Sequence, residues 1–284
     1  MEKKDPVGPI SNAANERATG ALLDRVRIFP DVPDAARAAL FVDDLVNHDE
    51  MGARFRSCFH DKPGAERFLA GVLGNSPFLR DLVLSDPERA FGLLHEAPEQ
   101  RVQRLLREAF DAKAEDEASI MRQLRRFKQD LALTLGLADI GGTIELEQVT
   151  RALAGFADAA LNAGIRFCLD DLARRNKFAP CDSNAPETGS GLIVLAMGKH
   201  GANELNYSSD IDLIVLYDPE KTPMAGGAEA PVEFVRMTRR LVKIMQERTE
   251  DGYVFRTDLR LRPDPGATPL AMSVPAALVY YESL

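Results

Sequence analysis

Asp210 and Asp212, two residues apart, are the clearest chemical signal in the sequence. They open the run Ile211–Tyr217, which is short, rich in Ile, Val and Leu, and bounded by turn residues, so the pattern predicts a buried strand. Residues two apart on a strand share a face. The two aspartates are therefore expected to point the same way at the strand's exposed start, with Ile211 and Leu213 pointing into the sheet. Two carboxylates on one face repel each other and are costly to keep ionised. A hard divalent cation relieves that cost, and magnesium takes one or two carboxylates together with substrate phosphates.

Gly198-Lys199-His200-Gly201 lies just upstream, after a second apolar run, Leu192–Met197, also read as a strand. Glycine lets a backbone approach an anion closely, the start of a following helical turn offers free N–H groups, and Lys199 adds positive charge. A lone Asp-x-Asp is most often a solvated strand end, and Gly-Lys alone says less. The order strand, glycine turn, Asp-x-Asp strand points to phosphoryl or nucleotidyl transfer with a metal. A third carboxylate lies in Tyr253–Pro263, YVFRTDLRLRP. Read with period two, Asp258, Arg260 and Arg262 share one face, and Leu259 and Leu261 the other. Two readings stay open for this segment. It is an edge strand guarded by charge, or it brings a further metal carboxylate flanked by arginines whose forks grip phosphate oxygens.

Three aspartates on neighbouring strands facing a glycine turn resemble the nucleotidyltransferase-β superfamily. Met197-Gly198-Lys199-His200-Gly201, Glu204-Leu205-Asn206-Tyr207-Ser208-Ser209-Asp210-Ile211-Asp212-Leu213-Ile214 and Asp258-Leu259-Arg260-Leu261-Arg262-Pro263 resemble, more closely, the glutamine synthetase adenylyltransferase/adenylyl-removing family. Ser76-Pro77-Phe78-Leu79, Asp86-Pro87 and Leu124-Arg125-Arg126-Phe127 resemble the N-terminal half of that family, which carries the adenylyl-removing domain. His200 stands where the family leads one to expect an apolar residue, and a surface position is expected for it.

The resemblance implies phosphorolysis: phosphate takes AMP off an adenylylated tyrosine of glutamine synthetase, giving ADP. It implies Asp210, Asp212 and Asp258 as catalytic and metal-binding residues, and Gly198, Lys199, Ser209, Arg260 and Arg262 as nucleotide or phosphate contacts. It further implies Mg2+ or Mn2+, ATP or ADP and phosphate as ligands, and glutamine synthetase and a PII-type nitrogen-signalling protein as partners. The competing expectations are an adenylyltransferase that adds AMP from ATP to glutamine synthetase or another acceptor, and a docking fragment with an inactive site.

The rest of the chain has to position these residues. Hydrophobic residues make up 45% of the 284, enough for a core. The net charge of −9 disfavours non-specific nucleic-acid binding. Cys58, Cys168 and Cys181 are odd in number and scattered, so they suit reduced thiols rather than a zinc or disulfide framework. No signal peptide and no apolar run long enough to span a membrane is apparent, and a cytoplasmic location is expected.

Helical spacing dominates up to about Arg175. Ala35–Val46 is expected to bury Ala39, Val42, Leu45 and Val46. Ala65–Leu73, Pro77–Leu84, Phe91–Leu94, Pro98–Ala114 and Glu117–Leu137 follow, with Ser76-Pro77 and Asp86-Pro87 as helix starts. Arg122, Arg125, Arg126 and Lys128 read as a solvated face, or as a surface for an acidic partner. A glycine turn at Gly141-Gly142 leads into one long helix, Thr143–Arg175, with Val149, Leu153, Phe156, Ala160 and Leu161 buried. The expected class is α+β: a loose arm over 1–18, a helical region over 19–176, and a nucleotidyltransferase-type mixed sheet with helices over 177–284. The helix expected over Ala276–Leu284 has no cap or polar tail, and a C-terminal truncation is expected from it.

Overall fold

A computed structural model describes residues 20–283 except Pro33 and Asp49, so the expected arm at 1–18 lies outside the described residues. The α+β class holds: among the described residues, helices fill the chain up to Arg174, and a mixed sheet follows. The chain divides into two compact units, Met1–Leu105 with Gln129–Val149, and Leu106–Lys128 with Thr150–Leu284.

The first unit is helical. It contains α1 (Leu22–Arg25), α2 (Ala35–Val46), α3 (Gly52–Asp61), α4 (Pro63–Asn75), α5 (Pro77–Ser85) and α6 (Pro87–Leu94). The predicted starts form: Ser76 accepts the Leu79 N–H at 3.2 Å and Asp86 the Arg89 N–H at 2.9 Å, each followed by proline at the first helical position. Leu45, Phe55, Phe68, Leu73, Leu133 and Leu137 build the core of this unit. In α2 the buried row is Ala38, Val42 and Leu45, while Ala39 is exposed. An i, i+4, i+7 row is one face of a helix, and it is turned slightly from the expected one. Arg101 is buried in this unit, where it meets both Asp130 carboxylate oxygens at 2.9 Å and Glu96 at 2.9 Å.

The second unit holds a sheet of four strands: β1 (Leu192–Met197), β2 (Ile211–Tyr217), β3 (Thr257–Asp258) and β4 (Ala271–Ser273). β1 runs antiparallel to β2, and β3 and β4 both run parallel to β2, β3 at its start and β4 at its end. The long helix α9 (Leu146–Arg174) and α11 (Ala230–Gln246) lie close together, for a Cβ on Gly164 would stand 2.7 Å from Leu241 Cδ1. The expected stripe Val149, Leu153, Phe156, Ala160 and Leu161 is buried. α9 is long and apolar enough by length and composition to cross a membrane, against the expectation that no run would be. Its most apolar stretch is 78% buried, as in a core helix. Phe234 of α11 packs on Tyr217 of β2 with ring centroids 5.3 Å apart.

The basic cluster of α8 (Glu117–Ile140) is not one solvated face. Arg122 and Arg126 are exposed, but Arg125 is fully buried in the second unit. Its guanidinium donates to the carbonyls of Gly252 at 2.9 Å, Ile244 at 3.1 Å, Met121 at 2.9 Å and Glu247. The Ile244, Glu247 and Gly252 carbonyls mark the end of α11 and the turn after it, so Arg125 caps groups that would otherwise be buried without donors. Lys128 is partly exposed along its stem, but its Nζ is enclosed over the Phe255 ring, 3.8 Å from the centroid. Of the cysteines, Cys58 and Cys168 are buried and Cys181 is exposed, and burial pushes the Cys168 thiol up to about 12.

Candidate functional site

The edge where β1 ends and β2 begins is built by pairing register. Met197, the last residue of β1, is opposite Asp212. On the other side Asp212 is opposite Asp258 of the parallel strand β3. Gly198 leaves β1 with φ +54°, and an added Cβ would stand 2.7 Å from Asp212 Oδ2. That close approach and that backbone angle both require glycine. Asp212 therefore lies between the glycine turn, α10 (Gly198–Gly201), and Asp258. Alternation sends Asp212, Ile214 and Leu216 to one sheet face and Ile211, Leu213, Val215 and Tyr217 to the other.

Asp210 precedes β2. The Ile211 N–H donates to the Arg256 carbonyl at 2.9 Å and sets the start of the parallel pairing. The Arg256 side chain donates from Nε to Asp210 Oδ1 at 2.5 Å and from Nη2 to the Ser208 carbonyl at 2.9 Å. Asp210 beside it raises the Arg256 pKa. After α10, residues 202–210 are turns and loop. Ser209 donates its hydroxyl to Asn206 Oδ1 at 2.8 Å within that loop.

The strand expected through Tyr253–Pro263 is only Thr257–Asp258. The Arg260 N–H donates to Asp258 Oδ1 at 2.7 Å, and this side-chain turn bends the chain away immediately after the strand. Asp258, Arg260 and Arg262 therefore do not form the single period-two strand face. Arg260 still returns to Asp258, donating from Nε to Oδ2 at 2.8 Å, while its side chain is 83% exposed. The Arg260 guanidinium and N–H hold the Asp258 carboxyl below the usual range. Asp258 first, and then Asp210 and Asp212, raise the Arg260 pKa, so all three carboxylates act on one cation. Arg262 serves its own loop, donating to the carbonyls of Leu259 at 2.8 Å and Pro265 at 2.7 Å.

Lys199 is exposed on the turn, with no ion pair among the described residues. His200, expected at the surface, is 3% exposed: its Nε2 donates to Asp158 Oδ1 of α9 at 2.8 Å and ties the turn to that helix. The structure thus brings together Gly198, Asp212, Asp258 and Arg260, with Lys199 exposed on the turn next to Gly198. It leaves Asp210 on Arg256, and Ser209 and Arg262 on internal partners. Among the described residues no three His, Cys, Asp or Glu side chains are close enough to hold a metal ion as a cluster. Asp212 and Asp258, paired on neighbouring strands with the glycine turn beside them, still fit an ion that takes two carboxylates and completes its shell with phosphate oxygens. Arg256 was missed as a site residue, although it precedes Asp258 by two positions and shares its alternation. β4 was missed as well, because three residues carry too little pattern.

The family model for glutamate-ammonia ligase adenylyltransferase matches residues 67–284. A bifunctional glutamine synthetase adenylyltransferase/adenylyl-removing enzyme of Xanthobacter autotrophicus is 44% identical over 278 residues, which is 97% of this chain and 28% of that protein. Proteins of the same description from Bradyrhizobium diazoefficiens and Rhizobium meliloti are 49% identical over 223 residues and 44% over 270 residues, covering 78% and 92% of this chain and 22% and 27% of theirs. The chain spans about a quarter of the length of the curated relatives it matches.

Proposed function

From the premise that the chain belongs to the glutamate-ammonia ligase adenylyltransferase family, a family of nucleotidyltransferring enzymes, we propose that its sheet-edge site removes AMP from an adenylylated tyrosine of glutamine synthetase by phosphorolysis. The observation that carries the reading is the position of Asp212, between Gly198 and Asp258. An attacking and a leaving oxygen must lie in line at phosphorus, with charge spread over the remaining phosphate oxygens.

Asp212 and Asp258 would hold the ion, with Asp210 joining them in competition with Arg256. A bound magnesium ion supplies neutralisation of phosphate-oxygen charge. Lys199 and the exposed Arg260 fork bind phosphate oxygens and bring two anions together against their repulsion. A phosphate oxygen bonds to the AMP phosphorus, the bond from phosphorus to the tyrosyl oxygen breaks, and the phosphate's proton ends on that oxygen, giving ADP and tyrosine. Gly198 admits the nucleotide phosphate to the turn. Ser209 shapes the loop before Asp210, and Arg262 holds the loop after Asp258. The direction rests on chain order, because a helical region precedes the motif as in the adenylyl-removing half of the resembled family. The proposed catalytic unit is 177–284, and the proposed partners beyond glutamine synthetase include a PII-type protein.

The test follows adenylylated glutamine synthetase by mass, with phosphate and Mg2+ present. Loss of the AMP mass with the wild-type chain, and a loss at least about 100-fold slower with Asp212→Asn, supports the site. Equal rates in the two proteins overturn it.

A further inference from the structure

The sheet face opposite Asp212 holds a second feature. Leu192, Val194 and Ala196 alternate on that face of β1 and, with Leu213 of β2, wall a pocket of about 250 Å3 against α9. This is room for several waters or one small organic molecule. Leu213 lines the pocket and Asp212, its chain neighbour, points to the other face, so the pocket is separate from the reaction site.

Two enclosed polar atoms among its lining residues have no partner among the described residues: His200 Nδ1 and Glu187 Oε2. Both are acceptors. His200 donates from Nε2 to Asp158, and in that tautomer Nδ1 carries a lone pair. Glu187 uses Oε1 for the Arg166 guanidinium at 2.7 Å, and Oε2 is left over. Leaving such atoms unmet when buried is costly. The charges at the pocket are Asp158 and Glu187 against Arg166, a net negative balance that suits a cation. The remaining wall is aliphatic, with Leu161, Ile165 and Val194.

We propose that this pocket binds a small aliphatic primary ammonium compound, its ammonium group donating to Glu187 and His200 and its carbon chain lying against Ile165 and Val194. Under the reading of the opposite face as the reaction site, the pocket is an effector site: His200 belongs to the same four-residue turn as Gly198 and Lys199.

The test titrates isobutylammonium chloride into the 15N-labelled full chain, with isobutanol as the uncharged control, and follows the Gly198–Gly201 amides and the His200 ring nitrogens. The proposal expects a saturable shift centred on those signals, at least about fivefold weaker with isobutanol, weakened about fivefold or more by Glu187→Gln, and lost in Ile165→Phe. Val194→Leu, a smaller filling change, serves if Ile165→Phe does not fold. A response of equal strength to isobutanol, an unchanged affinity in the filled variant, or no saturable shift means the pocket holds water only and overturns the proposal. Because binding is read without the reaction, failure of the AMP-removal reading leaves this result standing, and the reverse.

Discussion

Gly198 and Asp212 are so close that a methyl group in place of the glycine hydrogen would stand 2.7 Å from the Asp212 carboxylate. Gly198 also sits at φ +54°, where a side chain costs about 1–2 kcal/mol. Gly198→Ala is therefore expected to push Asp212 aside. Displacements of this size cost about 100-fold in rate. The paired measurement is AMP removal and thermal midpoint: a large fall in rate with a loss of only about 1–2 kcal/mol supports the close packing as functional.

Arg260→Gln separates the electrostatic role of Arg260 from its proposed phosphate contact. Arg260 keeps the Asp258 carboxyl below its ordinary value. Without the guanidinium that carboxyl rises toward the ordinary range, so the acid limb of the pH–rate profile moves to higher pH. The loss of a charged hydrogen bond is also expected to raise KM for phosphate about tenfold. An acid limb that stays in place would show that Asp258 need not be ionised.

Much of this site was legible because its signals are local. Ser76-Pro77 and Asp86-Pro87 cap the helices they precede, since a cap needs only an N–H three residues on. Leu192–Met197 and Ile211–Tyr217 matched their strands to the residue. Asp212 facing the glycine turn followed from strand alternation once β1 paired with β2. Alternation failed beyond Asp258, because the Arg260 N–H bonds to the aspartate itself and stops the strand. Arg125, Lys128 and His200 were misplaced for a common reason. Charged residues on an amphipathic helix or in a polar turn look solvated, and nothing nearby announces carbonyls 119 to 127 residues away or a carboxylate 42 residues back.

Arg125→Met is expected to destabilise the second unit by about 3 kcal/mol, because the carbonyls of Ile244, Glu247 and Gly252 lose their buried donor. Arg125→Lys should recover only part of this, since one ammonium cannot reproduce the fork. Urea unfolding of the three proteins checks the order wild type, Arg125→Lys, Arg125→Met. A stable Arg125→Met protein would mean that those carbonyls find other donors.

Lys128 makes stability depend on pH. Burial pushes its ammonium down to about 7, while the Phe255 ring face favours the charged form and pulls the other way. Between about 7 and the ordinary lysine value the unfolded chain holds one proton more than the folded chain, so stability rises with pH through that window. The slope from this one group is on the order of 1.4 kcal/mol per pH unit. Lys128→Met should remove the slope and raise stability at pH 7. Unfolding midpoints at intervals from pH 7 to 10 check it; parallel slopes in the two proteins would place the proton elsewhere.

Phosphorolysis, the proposed transfer of AMP from a tyrosyl oxygen to phosphate at this site, is open to a direct measurement. Adenylylated glutamine synthetase is incubated with the chain, Mg2+ and 32P-labelled phosphate, and the nucleotide products are separated. Label is expected in the terminal phosphate of ADP, in amounts equal to the AMP removed, and is expected to be lost with Asp212→Asn. Release of unlabelled AMP would make the reaction a hydrolysis, and transfer of AMP from ATP onto unmodified glutamine synthetase without removal would contradict the direction.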